Sequence, residues 1–154
     1  ALMSSPYAIE TQPAQPVLYV RTHAPVQNLP QVVGAGYGAI GAYLAEVGAV
    51  PVGAPYVSYY NADMQDLDVE MGMPVAGPLP GKGEVQFRVM PACLLATGLY
   101  TGPYEQMGVG YEALQAWMAT QGLTPTAQMI EWYLNSPNEV APEALVTKIA
   151  WVVA

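Results

Sequence analysis

The sequence predicts an α+β fold: a duplicated strand–helix–strand–strand unit that forms an antiparallel sheet with two helices on one face. Two segments of the chain repeat each other, and each is flanked by strand-like segments. In addition, 53% of the 154 residues are hydrophobic and only 10% are charged. A chain of this length and apolar content can bury a substantial core. The second face of the sheet is then left free for another role.

The repeat relates residues 33–51 to residues 107–125 without a gap. Gly, Ala, Tyr and Pro recur at matching positions, so that Tyr37 corresponds to Tyr111 and Gly48 to Gly122. The chain is therefore predicted to be a single domain over residues 1–154, built by internal duplication. Its pseudo-repeats are placed at about 7–76 and 84–154, with a Gly- and Pro-rich linker at about 77–83.

The element order within each half follows from hydrophobic runs and their periods. The predicted strands cover residues 15–22, 55–60 and 67–75 in the first half and residues 92–100, 127–134 and 145–153 in the second. The second helix is predicted from Tyr104 to Gln121, because its apolar residues recur every 3.6 residues. Gly48 and Gly122 stand where a left-handed C-cap ends each helix, and a proline shortly after each glycine blocks continuation.

Charge and cysteine content exclude several classes of protein. The net charge is -8 with only four Lys and Arg residues, which excludes a phosphate-tracking nucleic-acid surface. No uncharged apolar run reaches the ~18 residues of a membrane span. Cys93 and His23 are each alone, so we expect no internal disulfide, metal site or catalytic triad, and no cofactor. The chain start lacks a signal-peptide pattern, which predicts a cytoplasmic location.

The segment from Gly36 to Gly41 matches the G-x-G-x-x-G pattern of dinucleotide-binding proteins. The repeat argues against that function, because Glu112 and Gln115 replace the second and third glycines in the other half. No strand runs directly into the first glycine either. We interpret these small residues as a means of packing the two helices closely.

Asp66, Asp68 and Glu70 form the densest acidic cluster and alternate along one strand, so they share one face. The spacing does not fit a calcium loop, which needs Gly and Glu at its sixth and twelfth positions. We interpret this face as solvated. We also expect His23 to lie at the surface and Cys93 to be a small buried hydrophobic residue.

Glu131 lies in a predicted strand where every neighbour within three residues is uncharged. The period of two puts Met129, Glu131 and Tyr133 on one face, and Ile130 and Trp132 on the other. Neither face is polar, so the carboxylate is predicted to be desolvated, which is costly unless it is paired or protonated. Two interpretations remain open: an internal hydrogen bond, or a counter-charge in an aromatic pocket for a cation or a proton.

Gly102-Pro103-Tyr104-Glu105 opens the second helix. Glu105 is expected in the first turn, where the helix dipole favours an anion. Tyr104 either belongs to the core or reaches the pocket.

These residues, taken in order, resemble a known family, the GyrI-like small-molecule-binding domain, which is also the effector-binding domain of AraC-type and MerR-type multidrug-sensing regulators. The resemblance rests on Gly102-Pro103-Tyr104-Glu105, a helix with Trp117, Glu131-x-Tyr133-Leu134-x-x-Pro137, Glu143-x-x-x-Thr147-Lys148-Ile149 and, in the first half, the acidic strand 66–75. It covers nearly the whole chain from about residue 7.

The resemblance implies a groove between the two halves that takes lipophilic, cationic or aromatic compounds. The strand glutamate of the family falls on Glu131, the aromatic residue two positions later on Tyr133, and the tyrosine of its Gly-Pro-Tyr element on Tyr104. Pseudo-symmetry adds Tyr59 and puts Val57 in the place of Glu131. The further lining residues predicted on this basis are Met129, Trp132 and Trp117.

Two functions remain open at this point. The favoured one is a binding protein for hydrophobic, cationic aromatic molecules, in which Glu131 pairs with the charge. The other is a hydrolase of cyclopropane-bearing or other electrophilic aromatic toxins, which the family also contains. In that case Glu131, with Tyr104 assisting, would be catalytic. A protein partner such as gyrase is a third possibility that the resemblance implies. From the sequence we expect no DNA-binding helix-turn-helix ahead of the domain.

Overall fold

The computed structural model describes residues 6–154, and eight strands and two α-helices lie within that range. The chain start, on which the predicted lack of a signal peptide rests, lies largely outside the described residues. In chain order the elements are β1 (Tyr7–Gln12), β2 (Gln15–Ala24), α1 (Leu29–Val47), β3 (Tyr56–Tyr59), β4 (Leu67–Pro74), β5 (Gln86–Met90), β6 (Cys93–Thr101), α2 (Met107–Thr120), β7 (Pro125–Tyr133) and β8 (Val146–Val153). Short 3-10 helices precede α1, α2 and β8. The predicted α+β class is confirmed.

The chain divides into two compact units, which we call central and terminal. The central unit is residues 13–92, with antiparallel strand order β3-β4-β2-β5. The terminal unit is residues 93–154 together with β1, with antiparallel order β1-β6-β8-β7. Each unit thus holds one predicted strand–helix–strand–strand segment and one additional edge strand.

The two additional edge strands, β1 and β5, come from the sequence adjacent to the other unit. β1 precedes β2 in the chain but pairs with β6, and β5 precedes β6 but pairs with β2. A Pro-Ala dipeptide separates the strands in both cases, at residues 13–14 and 91–92. Proline has no N–H to donate to a ladder, so it ends each edge strand. The chain passes between units at these dipeptides, and residues 77–83, predicted as the linker, lie inside the central unit.

Both helices end as the sequence predicts. Gly48 has φ 69° and Gly122 has φ 67°, the left-handed conformation that favours glycine. The second helix begins with a 3-10 turn at Tyr104–Gln106 and continues as α2 from Met107. The helical region therefore starts at Tyr104, as predicted, but its first turn is a 3-10 helix and not an α-helix.

The interpretation of the glycines from Gly36 to Gly41 as helix-packing residues is wrong for Gly38 and Gly41. A Cβ atom at either position would meet nothing within 4 Å in the described part of the chain. Gly36 alone is tightly packed, since a Cβ there would overlap the Met71 side chain of β4. That glycine lets α1 lie close to its own sheet.

The interpretation of the acidic strand as solvated is wrong for Glu70. Asp66 is 63% exposed, but Glu70 is completely buried. The cause is β5, whose Arg88 reaches across β2 to the Glu70 carboxylate. His23 is exposed, as expected, and lies 3.3 Å from Asp66. Cys93, by contrast, is only partly buried.

In the terminal unit, α2 packs on one face of the sheet. The buried cluster includes Leu114 and Met118 of α2 with Ala96 of β6 and Ile149 of β8. Ile149 lies directly opposite Glu131 in the β7–β8 ladder, and directly opposed residues share a face. Glu131 is therefore on the helix-covered face of this unit.

Candidate functional site

The candidate site forms around Glu131, whose side chain projects from β7 toward α2. The residue is only 8% exposed. Burial raises the pKa of its carboxyl, because the charged form loses solvation. The predicted desolvation is confirmed.

Two tyrosine hydroxyls contact this carboxylate. Tyr133 donates a hydrogen bond to Glu131 Oε2 at 2.8 Å. Hydrogen bonding by Tyr133 and by Tyr111 of α2 stabilises the charged form and opposes the rise in pKa. The Tyr111 ring lies 6.0 Å from the Trp151 ring of β8, so the hydroxyl is held on a packed helix. The polar contacts of the Glu131 carboxylate with Tyr133 and Tyr111 are thus contacts with neutral hydroxyl groups.

Tyr104 forms the exposed rim of the site. Its ring meets the Tyr133 ring edge-on, with centroids 5.6 Å apart and an interplanar angle of 62°. Partial burial and the charge of Glu131 both raise the pKa of its hydroxyl. At 38% exposure, Tyr104 is the ring through which this cluster meets solvent.

All four Lys and Arg side chains of the sequence are paired with carboxylates other than Glu131. The pairs are Arg21–Asp68, Arg88–Glu70, Lys82–Glu46 and Lys148–Glu10. The one histidine, His23, faces Asp66 and Asp68. Within residues 6–154, therefore, no Lys, Arg or His balances the charge of Glu131.

The central unit contains a second buried glutamate whose charge is balanced. Glu70 accepts hydrogen bonds from Tyr56, from Tyr60 at 2.7 Å, and from Arg88 Nη2 at 2.8 and 2.9 Å. Burial and the nearby Glu70 charge raise the pKa of Tyr56, so this hydroxyl stays protonated as a donor. A buried ion pair of this kind is structural.

The repeat explains why the two units differ at the helix-covered face. Val57, completely buried, takes the place of Glu131 and lies opposite Met71. Tyr37, the counterpart of Tyr111, donates its hydroxyl hydrogen to the Tyr56 carbonyl. Only the terminal unit therefore has a carboxylate on this face.

The structure brings together three of the predicted site residues, Glu131, Tyr133 and Tyr104. Met129 lies on the same face of β7 as Glu131 and Tyr133, two residues before Glu131, and is opposite Trp151 of β8. Val57 and Tyr59 belong to the central unit, on β3.

Two predicted residues lie elsewhere. Trp132 points to the other face of the sheet, where the Lys148 Nζ is 5.3 Å from its ring centroid. Trp117 packs against the Tyr7 ring, with centroids 5.6 Å apart, as part of the core.

Three residues of the site were not predicted from the sequence: Tyr111, Thr147 and Trp151. A tyrosine at helical spacing is usually a core residue, so its position on the helix does not by itself assign Tyr111 to the site. The repeat offers a signal for Tyr111. Tyr37 is its counterpart in the other half, and only the half with Tyr111 has a glutamate, Glu131, at the corresponding strand position. Thr147 and Trp151 have no such signal, because their role depends on strand register.

In the described range, no group of three or more His, Cys, Asp or Glu side chains is arranged to hold a metal ion. Among the same residues, no helix has both the length and the apolar character needed to cross a membrane.

The fold and the site define an α+β protein with a buried glutamate beneath one helix. The model of the GyrI-like small molecule binding domain matches residues 5–154, so the chain belongs to that family. The resemblance seen in the sequence is thereby confirmed.

Among curated proteins, the DNA gyrase inhibitor of Edwardsiella ictaluri (strain 93-146) is 43% identical over 54 residues, which are 34% of this chain and 34% of that protein. The match thus spans about a third of that relative. Among solved structures, the EcmrR C-terminal domain is similar with a TM-score of 0.75 and 22% identity, covering 96% of both chains. A hydrolase from Listeria innocua has a TM-score of 0.67 and 14% identity, covering 96% of this chain and 91% of that one. Both show the same fold.

Proposed function

We propose that the protein binds lipophilic aromatic cations at Glu131. One observation carries this proposal: a buried carboxylate, contacted by tyrosine hydroxyls, is matched by no Lys, Arg or His in residues 6–154. A cationic ligand would supply the missing charge. In a site of low dielectric, that attraction is much stronger than at an exposed carboxylate.

The aromatic side chains supply the rest of the binding energy. Tyr104 and Tyr133 offer ring faces and edges next to the carboxylate, and each cation–π contact contributes about 0.5–2 kcal/mol. Met129 adds an adaptable apolar contact. Trp132 and Trp117 are not included, because one lies on the other face and the other is part of the core.

The experiment compares Glu131→Gln with the unaltered protein, using a rhodamine-like cation and a neutral analogue of similar shape. We expect the variant to bind the cation at least tenfold more weakly, a loss of about 1.4 kcal/mol, and to bind the neutral dye almost unchanged. Glu105→Gln, which alters an exposed glutamate of the same unit, is the matched control. Equal losses for both dyes would exclude charge pairing.

A hydrolase is the second candidate, favoured by the raised pKa of Glu131 and by the similar fold of a protein named as a hydrolase. A carboxyl with a raised pKa is suited to act as a general acid near neutral pH, and Tyr104 could assist by hydrogen bonding. Incubation with a cyclopropane-bearing alkylator, followed by mass spectrometry, distinguishes the two. Multiple turnovers would establish an enzyme, and stoichiometric retention without product would establish a binder.

A gyrase partner is a further candidate, from the 54-residue match to a protein named a DNA gyrase inhibitor. Inhibition of supercoiling by the purified protein would support it, and an unchanged rate of supercoiling at equimolar protein would exclude it.

A cytoplasmic location stays a prediction.

A further inference from the structure

Two buried hydrogen-bond donors near Glu131 have no partner among the described residues. They are the hydroxyl of Thr147, a completely buried residue, and the indole N–H of Trp151. A buried polar group without a partner costs about 1–3 kcal/mol, and most such groups in native proteins are satisfied. These two donors therefore require an explanation.

The strand register places both donors on the face that carries Glu131. Along β8, Thr147 lies opposite Tyr133, Ile149 opposite Glu131, and Trp151 opposite Met129. The donors thus occupy the rows on either side of the carboxylate. Residues two apart on a strand are separated by about 7 Å, so each donor row is about that far from the Glu131 row.

The chemistry of the donors restricts what can satisfy them. An indole N–H only donates, and a threonine hydroxyl can do so as well, so an acceptor atom suits both. A simple hydrocarbon cation would pair with Glu131 but would leave both donors unsatisfied. A ligand that also carries a carbonyl or ether oxygen would satisfy at least one of them.

We propose that the site selects aromatic cations that carry a hydrogen-bond acceptor about 7 Å from the positive charge. The charge pairs with Glu131, and the acceptor receives a hydrogen bond from Thr147 or Trp151. The exposed Tyr104 ring lies against the Tyr133 ring, and Tyr133 is opposite Thr147 in the sheet. The ligand therefore displaces the Tyr104 ring when it enters. This inference rests on the proposed function, since it assumes that the cation binds at Glu131.

The test uses two arylammonium ions of matched shape. (4-Acetylbenzyl)trimethylammonium carries a carbonyl at the required distance. In (4-isopropylbenzyl)trimethylammonium, a methyl group and a hydrogen replace the carbonyl oxygen, so the acceptor is lost. We expect the protein to bind the acetyl ion about tenfold more tightly in isothermal titration calorimetry, as one good hydrogen bond gives.

Three variants assign that preference to its donors. Thr147→Val keeps the shape of the side chain and removes the donor, and Trp151→Phe removes the indole N–H while leaving a smaller aromatic ring. We expect each to lower the preference for the acetyl ion severalfold, with little change for the isopropyl ion. Thr97→Val is the matched control: this buried threonine lies on the other face and already donates to the Ala8 carbonyl at 3.4 Å. We expect it to leave the preference unchanged.

Melting of the ligand-free variants gives a second readout. Thr147→Val should not lower the melting temperature, because it removes a hydroxyl that has no partner, whereas Thr97→Val should lower it. If Thr147→Val melts lower and neither donor variant changes the preference, the hydroxyl is structural and the inference is wrong.

The failure of this inference differs from that of the proposed function. If both ions bind equally well and Glu131→Gln weakens both, cation binding stands and the acceptor selection is wrong. If Glu131→Gln weakens neither ion, the proposed function is wrong, and the inference that rests on it falls too.

Discussion

Glu131 and Glu70 are both buried glutamates, but their surroundings differ in one respect. Each accepts hydrogen bonds from tyrosine hydroxyls, and only Glu70 has an arginine. Burying an ionised carboxylate without a cation is costly. Ionisation of Glu131 therefore destabilises the fold, and a cost of this kind is typical of residues kept for function.

The raised pKa of Glu131 predicts how stability depends on pH. Ionisation is harder in the folded state, so the protein loses stability as the pH rises from the ordinary glutamate pKa, about 4.3, to the raised folded-state pKa. Glu131→Gln does not titrate and escapes this loss. We expect the variant to melt higher than the unaltered protein at pH 7, and the difference to shrink toward pH 4.

The measurement is a series of thermal melts between pH 4 and pH 8. The control is Glu105→Gln, at an exposed position where the charge is solvated; its melting difference at pH 7 should be small. A Glu131→Gln variant that melts lower at pH 7 than the unaltered protein would contradict the prediction.

At the scale of elements, the Arg88–Glu70 pair fixes the edge strand β5 to its sheet. Arg88 lies on β5 and Glu70 on β4, with β2 between them. Arg88→Met removes the cation and leaves Glu70 buried and uncompensated. We expect the variant to lose about 3–5 kcal/mol of the free energy of unfolding in urea.

The double variant Arg88→Met with Glu70→Gln separates the charge from the packing. Because it buries no charge, it should regain most of the lost stability. A double variant as unstable as Arg88→Met alone would mean that the arginine acts through its packing against Tyr19 instead, whose ring centroid lies 5.2 Å from its guanidinium.

At the scale of the whole molecule, the exchange of edge strands makes the folding units differ from the sequence repeats. A fragment of residues 13–92 contains every strand of the central sheet, including β5 with Arg88. A fragment of residues 1–76 matches the sequence repeat but lacks β5. We expect the first to give a dispersed NMR spectrum and the second not to fold, because it leaves β2 unpaired on one side and Glu70 without its cation. Equal dispersion from both fragments would contradict the assignment of β5.

Much of the fold could be predicted because it depends on local chemistry. The six repeated strands lie within a few residues of their predicted bounds, and Gly48 and Gly122 end their helices in the left-handed conformation. The short edge strands β1 and β5 were missed, since neither has a distinct hydrophobic alternation. The pairing of such a strand depends on which neighbouring strand and which packing it finds in the sheet, and its own sequence does not specify them.

The site could be predicted in part for the same reason. A glutamate in a strand without charged neighbours indicates a buried carboxylate, whatever its fold, so Glu131 was identified from the sequence. Trp132 shows the limit, because the resemblance added it to the lining while alternation puts it on the other face, where the structure has it. Tyr111 reaches Glu131 only through helix packing, and Thr147 and Trp151 come to the same face only through strand register.

The sequence by itself determined the duplicated α+β units, the helix ends and the unusual carboxylate, because periodicity, glycine conformation and burial of charge act over a few residues. The tertiary structure decided which charges are balanced. The sequence predicts that the acidic strand containing Glu70 is solvated. In the structure Glu70 is buried and paired, because β5 brings Arg88, 18 residues further along the chain, next to it. Glu131 receives no such partner, since the register of β7 turns it toward α2 and its tyrosine. Ion pairing depends on which distant strands become neighbours, and that is a property of the sheet.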